Sequence, residues 1–198
     1  MAAGPCTRIW DAGVRLAHWS LATLVAVNLI RDDGDIVHRW LGYAAVAVVL
    51  SRLTWACLSR SHAGMASLLP SVSGAIAYLR LLLRGQPPRA EGHDPLGLWM
   101  IWLLWALVLL LGLTGWMSRL DAFWGDDRVH DLHAVLADIL LVAVFLHLLG
   151  VATMSWLWKE NLLASMVTGF KRSPGISSAA GPWPARPAGR GRRCRRGT

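Results

Sequence analysis

His133-Ala-Val-Leu-Ala-Asp-Ile-Leu-Leu-Val-Ala-Val-Phe-Leu-His147 decides the fold. An apolar run of this kind crosses a membrane, and a low-dielectric span admits imidazoles only where they find partners or do work. Residues 133 and 147 are two heptads apart. On a straight helix they stay on nearly one stripe, drifting ~20° per heptad, and lie about 21 Å apart along the axis. The two rings are thereby placed towards opposite faces of one bilayer.

Working outward, further apolar runs fall at residues 14–30, 38–58 and 97–117, and the quoted run extends over 133–157. With 198 residues, 55% of them hydrophobic, and a mean hydropathy of +0.42, the chain is too apolar for an ordinary soluble domain. The expectation is an all-α integral membrane four-helix bundle over residues 1–172, followed by a basic tail, 173–198. That tail is rich in Pro, Gly, Ala, Ser and Arg, a composition that predicts disorder and adhesion to anionic lipid. Between the second and third spans, Leu69, Val72, Ile76, Leu79 and Leu83 recur at helical spacing beside Arg80 and Arg84, predicting a short interfacial helix.

The formal charge of +8 does not point to nucleic acid, because the basic residues occupy particular loops and the tail rather than a folded basic face. Arg8 and Arg15 precede the first span, Arg60, Arg80, Arg84 and Arg89 follow the second, and Lys159, Lys171 and Arg172 follow the fourth. The opposite connections carry Asp32, Asp33 and Asp35, and Asp121, Asp126, Asp127 and Asp131. This asymmetry predicts that both termini are cytoplasmic. Cys6, Cys57 and Cys194 are scattered, with no C-x-x-C pair and no C-x-x-C-H, so neither a structural zinc site nor covalent haem attachment is supported. No removable signal peptide is visible, and the first span is expected to direct insertion.

The short turn Arg31–Asp35 makes the first two spans antiparallel neighbours, so His18 and His38 begin their helices at opposite depths. His133 then shares the depth of His38, and His147 that of His18. Two pairs of imidazoles at two levels suit two haems of b type, each iron held by two histidines with no open position, which is one-electron transfer chemistry. The assignment is His38 with His133 outside and His18 with His147 inside. His130 rivals His133, but its spacing to His147 turns it ~100° off the stripe. His62 and His93 fall in solvated connections. Zinc would want about four ligands converging at one depth, which disfavours the alternative of a non-redox scaffold or divalent-metal transporter.

Neighbouring residues fit the same picture. Ala22, Gly42, Ala137 and Gly150 lie about one turn from the four histidines, and such small residues leave room for a flat macrocycle or simply for packing. Arg15 and Arg52 are candidates for haem propionates, with positive-inside anchoring an equal alternative. Asp138 is expected to hydrogen-bond a neighbouring helix rather than relay protons. Gly112 and Gly115 permit close approach to the third span, and the tryptophans fall mostly at span ends as aromatic belts.

These residues give the chain a resemblance. Ile9-Trp10-Asp11 with Arg15-Leu16-Ala17-His18-Trp19, His38-Arg39-Trp40-Leu41-Gly42-Tyr43, Gly92-His93-Asp94-Pro95, Leu132-His133-Ala134 through Leu146-His147, and Glu160-Asn161-Leu162 with Met166 and Thr168-Gly169-Phe170-Lys171-Arg172 resemble the bacterial cytochrome b561 and nickel-iron hydrogenase b-type cytochrome superfamily. The likeness spans roughly residues 8–172. It implies a four-helix, di-haem membrane cytochrome with ligands at His18, His38, His133 and His147. It further implies electron exchange between membrane quinone and a redox partner, a periplasmic c-type cytochrome or the electron-transfer subunit of an oxidoreductase. Lipid surrounds the bundle, and a homodimer is compatible with this reading. Ala134 departs from the acidic residue many relatives carry after the first histidine of the last helix.

Overall fold

The computed structural model describes residues 5–8, 10–31, 34–58, 68–85, 94–123, 125–172 and 192–193. Four long apolar helices dominate it: α1 (Ala12–Ile30), α2 (Ile36–Leu58), α4 (Pro95–Met117) and α5 (Asp127–Trp158), each long and apolar enough to cross a bilayer. Two shorter helices complete the set, α3 (Val72–Leu83) and α6 (Leu162–Thr168). Each expected span lies inside one of the long helices. The largest difference is α5, which starts six residues before His133 because Asp126 caps it, accepting the Arg128 amide at 2.9 Å. At 32 residues it is about 48 Å long, so its polar first turns project beyond a ~30 Å hydrocarbon layer.

Local chemistry sets the other helix starts. Asp11, Asp35, Ser71, Asp94 and Asn161 each accept a backbone amide of the first turn, and Pro95 stands at the start of α4 where its missing N–H costs nothing. The α1–α2 turn and the connection from α4 to α5 lie together at one end of the bundle, here the turn end. At the other, terminal end lie α3, α6 and a small antiparallel sheet in which β1 (Pro5–Arg8) is central, flanked by β2 (Phe170–Arg172) and β3 (Arg192–Arg193). The rest of the expected tail, and with it Cys194, lies outside the described residues, as do Asp32, Asp33, Arg60, His62, Arg89 and His93.

The helices pack α1 on α2, α2 on α4 and α4 on α5. Their shared core is Ala45 and Val49 of α2, Leu107 and Val108 of α4, and Leu140 and Ala143 of α5. Gly112 makes the α2–α4 contact possible, since an added Cβ would collide with Val46 Cγ2. Elsewhere the long helices show apolar side chains outward, among them Trp40, Leu141, Phe145 and Leu148, a surface that forgoes ~1.5–3 kcal/mol per side chain in water and is at home in lipid. The expected surface helix is α3. Its stripe Leu69, Val72, Ile76, Leu79 and Leu83 is exposed, whereas Ala75 and Tyr78 are buried, the Tyr78 hydroxyl lying 3.9 Å from Met154 Sδ on α5. Trp102 fastens the approach to α4 by donating from Nε1 to the Leu68 carbonyl at 2.7 Å.

Candidate functional site

Two histidine pairs bridge the side of the bundle where neither α1 nor α2 packs its backbone closely on α5. At the turn end, the rings of His38 and His133 have centres 6.3 Å apart. At the terminal end, His18 and His147 have centres 6.4 Å apart. Leu140 and Ala143, both buried in the core, lie on α5 between its two histidines, so a packed apolar layer separates the pairs.

The turn-end pair is built from the α1–α2 connection. Asp35 accepts the His38 amide at 2.7 Å through one carboxylate oxygen and pairs with Arg31 at 2.8 Å through the other. The His38 amide first, and then the Arg31 guanidinium, hold the Asp35 carboxyl below its usual value, against a partial desolvation that acts the other way. Arg31 caps α1, its amide bonded to the Val27 carbonyl, and its own carbonyl faces His38 Nδ1 at 2.5 Å. A carbonyl only accepts, so Nδ1 carries the proton and Nε2 keeps its lone pair.

His133 is held in the same way from α4. Its Nδ1 lies 2.8 Å from Oγ1 of the buried Thr114, whose hydroxyl is directed to the carbonyls of Leu110 and Leu111 at 3.0 and 3.2 Å. Gly115 lets the ring lie against α4: an added Cβ would meet His133 Cε1 at 3.3 Å. Gly115, expected to permit close approach by a neighbour, thus makes room for the His133 ring. Gly42 has a different neighbour, the Asn28 side-chain nitrogen, which an added Cβ would meet at 3.4 Å.

The terminal-end pair has no comparable hydrogen bonds. His18 Nδ1 is buried without a hydrogen-bond partner among the described residues, and His147 makes no side-chain hydrogen bond there. What is fastened instead is the helix ends. Arg15 Nη1 donates to the Val167 carbonyl, Trp19 Nε1 to the Met166 carbonyl at 3.4 Å, and the Trp10 amide to the Gly169 carbonyl at 3.3 Å. Gly169, with φ 83°, closes α6, and a side chain there would press on Trp10 and Arg15. These contacts clamp α6, which continues from α5, onto the start of α1.

Of the two expected cations, Arg15 is thus engaged by α6 while its Nε stays buried without a partner among the described residues, and Arg52 is half-buried within electrostatic reach of Asp11. His130 is exposed one turn from His133, and Asp138 is exposed on the outer side of α5. Cys57 is an exposed free thiol. Sequence reasoning did not single out Thr114, Asn28 or the Arg31 carbonyl. Asn28 carried a usable signal, being the one amide side chain inside the first apolar run. Thr114 carried none, since a threonine in a span commonly bonds its own helix.

Two imidazoles gripping one metal through bonds of about 2 Å put their ring centres about 6 Å apart, the separation of both pairs. Among the described residues no group of three or more His, Cys, Asp or Glu converges as a metal site. The arrangement therefore suits a metal that brings its other ligands with it. A family profile described as prokaryotic cytochrome b561 matches residues 9–169. No curated protein matches the chain.

Proposed function

The chain belongs to the prokaryotic cytochrome b561 family, membrane b-type cytochromes that transfer electrons, and from that premise we propose that it relays electrons across the bacterial inner membrane through two non-covalent b haems. In this reading His38 and His133 hold the outer haem, His18 and His147 hold the inner one, and both termini are cytoplasmic. The observation that carries it is the pair of matched ring separations, 6.3 and 6.4 Å, at two levels of one bundle. Bound by these histidines, each haem would supply one-electron transfer chemistry.

The protein's own residues do the rest. Arg31 and Thr114 orient the outer imidazoles, α6 and β1 fix the helix ends that carry the inner ones, and the Leu140–Ala143 layer keeps water from the span between them. Arg15 Nε, buried and without a partner among the described residues, is a donor suited to a propionate of the inner haem, and Arg52 lies at the same end of the bundle. The exchange partners are membrane quinone and a periplasmic c-type cytochrome or an oxidoreductase electron-transfer subunit. A zinc scaffold is disfavoured, because two rings per site fall short of the ligands zinc takes from a protein.

The test is transmembrane electron transfer. Full-length protein is placed in liposomes enclosing ferricyanide, with a membrane-impermeant reductant outside. Trapped ferricyanide should be reduced far faster than in empty vesicles, and the rate should collapse in His147→Ala. A rate equal to that of empty vesicles contradicts the proposal.

A further inference from the structure

The two histidine pairs have equal spacing but unequal support, and that inequality has a redox consequence. An imidazole that donates its second N–H to an oxygen becomes a more basic ligand through the other nitrogen. A more basic ligand favours the ferric over the ferrous iron, and hydrogen bonding around the ligands is one of the means by which a protein sets a haem potential. At the turn end both rings donate in this way: His38 to the Arg31 carbonyl at 2.5 Å, His133 to Thr114 Oγ1 at 2.8 Å. At the terminal end neither ring has such a partner among the described residues.

Thr114 is fitted for this role. It is 4% exposed, and its hydroxyl proton is committed to the carbonyls of its own preceding turn, so the oxygen faces His133 only as an acceptor. Gly115 beside it lets α4 bring this acceptor up to the ring. The balance of fixed charge among the described residues acts in the same sense, with Asp35, Asp121, Asp126, Asp127 and Asp131 against Arg31, Arg39, Arg119 and Arg128 around the turn end, and Arg15, Arg52, Arg80, Arg84 and Lys159 against Asp11, Asp94 and Glu160 around the other.

Resting on the di-haem reading above, we infer that Thr114 is a positioning residue: by accepting the His133 Nδ1 proton it fixes Nε2 as the ligand and, with the Arg31 carbonyl on His38, gives the turn-end haem a lower reduction potential than the terminal-end haem. A single electron shared by the two irons therefore resides mostly at the terminal end, reducing that iron as the other is oxidised.

Potentiometric titration of the full-length protein, followed by absorbance, tests this. Wild type should give two one-electron waves, and His133→Ala should abolish the lower while His147→Ala abolishes the upper. Thr114→Val should raise the lower wave alone, by up to about tenfold in the ferrous-to-ferric ratio, roughly 59 mV for one electron. Thr114→Ser, which restores the hydroxyl, should return it to the wild-type position. If Thr114→Val does not load haem, the order of the wild-type waves still decides: a lower wave lost with His147→Ala overturns the inference. So does a Thr114→Val protein with two haems and both waves unmoved. Wild type binding fewer than two haems would instead overturn the di-haem reading on which the inference stands.

Discussion

The turn-end and terminal-end histidine pairs reach the same separation by different means. At the turn end the rings themselves are held, His38 by the Arg31 carbonyl and His133 by Thr114, with Gly115 allowing the helix to come close. At the terminal end the rings are left to packing and the backbone around them is held, through Arg15, Trp19 and Trp10 on α6 and its C-terminal cap. The difference teaches that ring spacing and ring support are separable properties. A bundle can fix where two imidazoles meet by clamping its helix ends, and can tune one of the two meetings by hydrogen bonds to the ring.

The largest expected effect comes from removing a ring. His147→Ala should lower the bound haem from two equivalents to one and leave the turn-end pair intact, and His133→Ala should do the converse. Haem extraction and absorbance count the equivalents. Loss of both haems from either single variant would mean that the two ends are one cooperative unit.

Next in size is crowding. Gly112→Ala drives a methyl into Val46, a β-branched side chain with little room to turn, and should cost ~1–3 kcal/mol in stability measured by denaturation in detergent. Gly115→Ala presses on His133 and should disturb the turn-end haem spectrum while sparing the other. Gly74→Ala on α3, away from both histidine pairs and meeting Ser71 and Pro95 at 3.4 and 3.9 Å, is the control and should change neither haem. Equal spectral damage from residues 115 and 74 would mean that the effect is not local to His133.

The smallest effect concerns Asp35. Because its carboxyl is held below its usual value of 3.8, the support it lends to the start of α2 is complete above that value and disappears as the pH falls through the lowered one. Wild type should therefore lose turn-end order in strong acid in a step that Asp35→Ala, already weakened, lacks. Circular dichroism together with the turn-end haem band follows this, and an identical acid profile in the two proteins would dismiss the carboxylate's role.

Much of this was legible in the sequence because membrane spans announce themselves. Runs of apolar residues set the four long helices, and the Arg31–Asp35 turn made the first two antiparallel, which alone determined that residue 18 faces the level of residue 147 and residue 38 that of residue 133. The surface helix followed from the stripe of Leu69, Val72, Ile76, Leu79 and Leu83, now seen exposed. Contacts that depend on rotation about a helix axis were not legible. Nothing in the residues near Thr114 says that it faces α5, and Arg15 reads equally well as a lipid anchor, a propionate ligand or the clamp on α6 that the structure displays. The early start of α5 was missed for a related reason, since polar first turns beyond the bilayer leave no hydropathy signal while their cap at Asp126 is local.

The most direct measurement is the haem content of the purified full-length protein, by reduced-minus-oxidised absorbance with iron and zinc analysis. Two equivalents of extractable, non-covalent b haem per chain and no zinc are predicted. A colourless protein, or one holding a single haem that survives removal of either His38 or His18, would contradict the account.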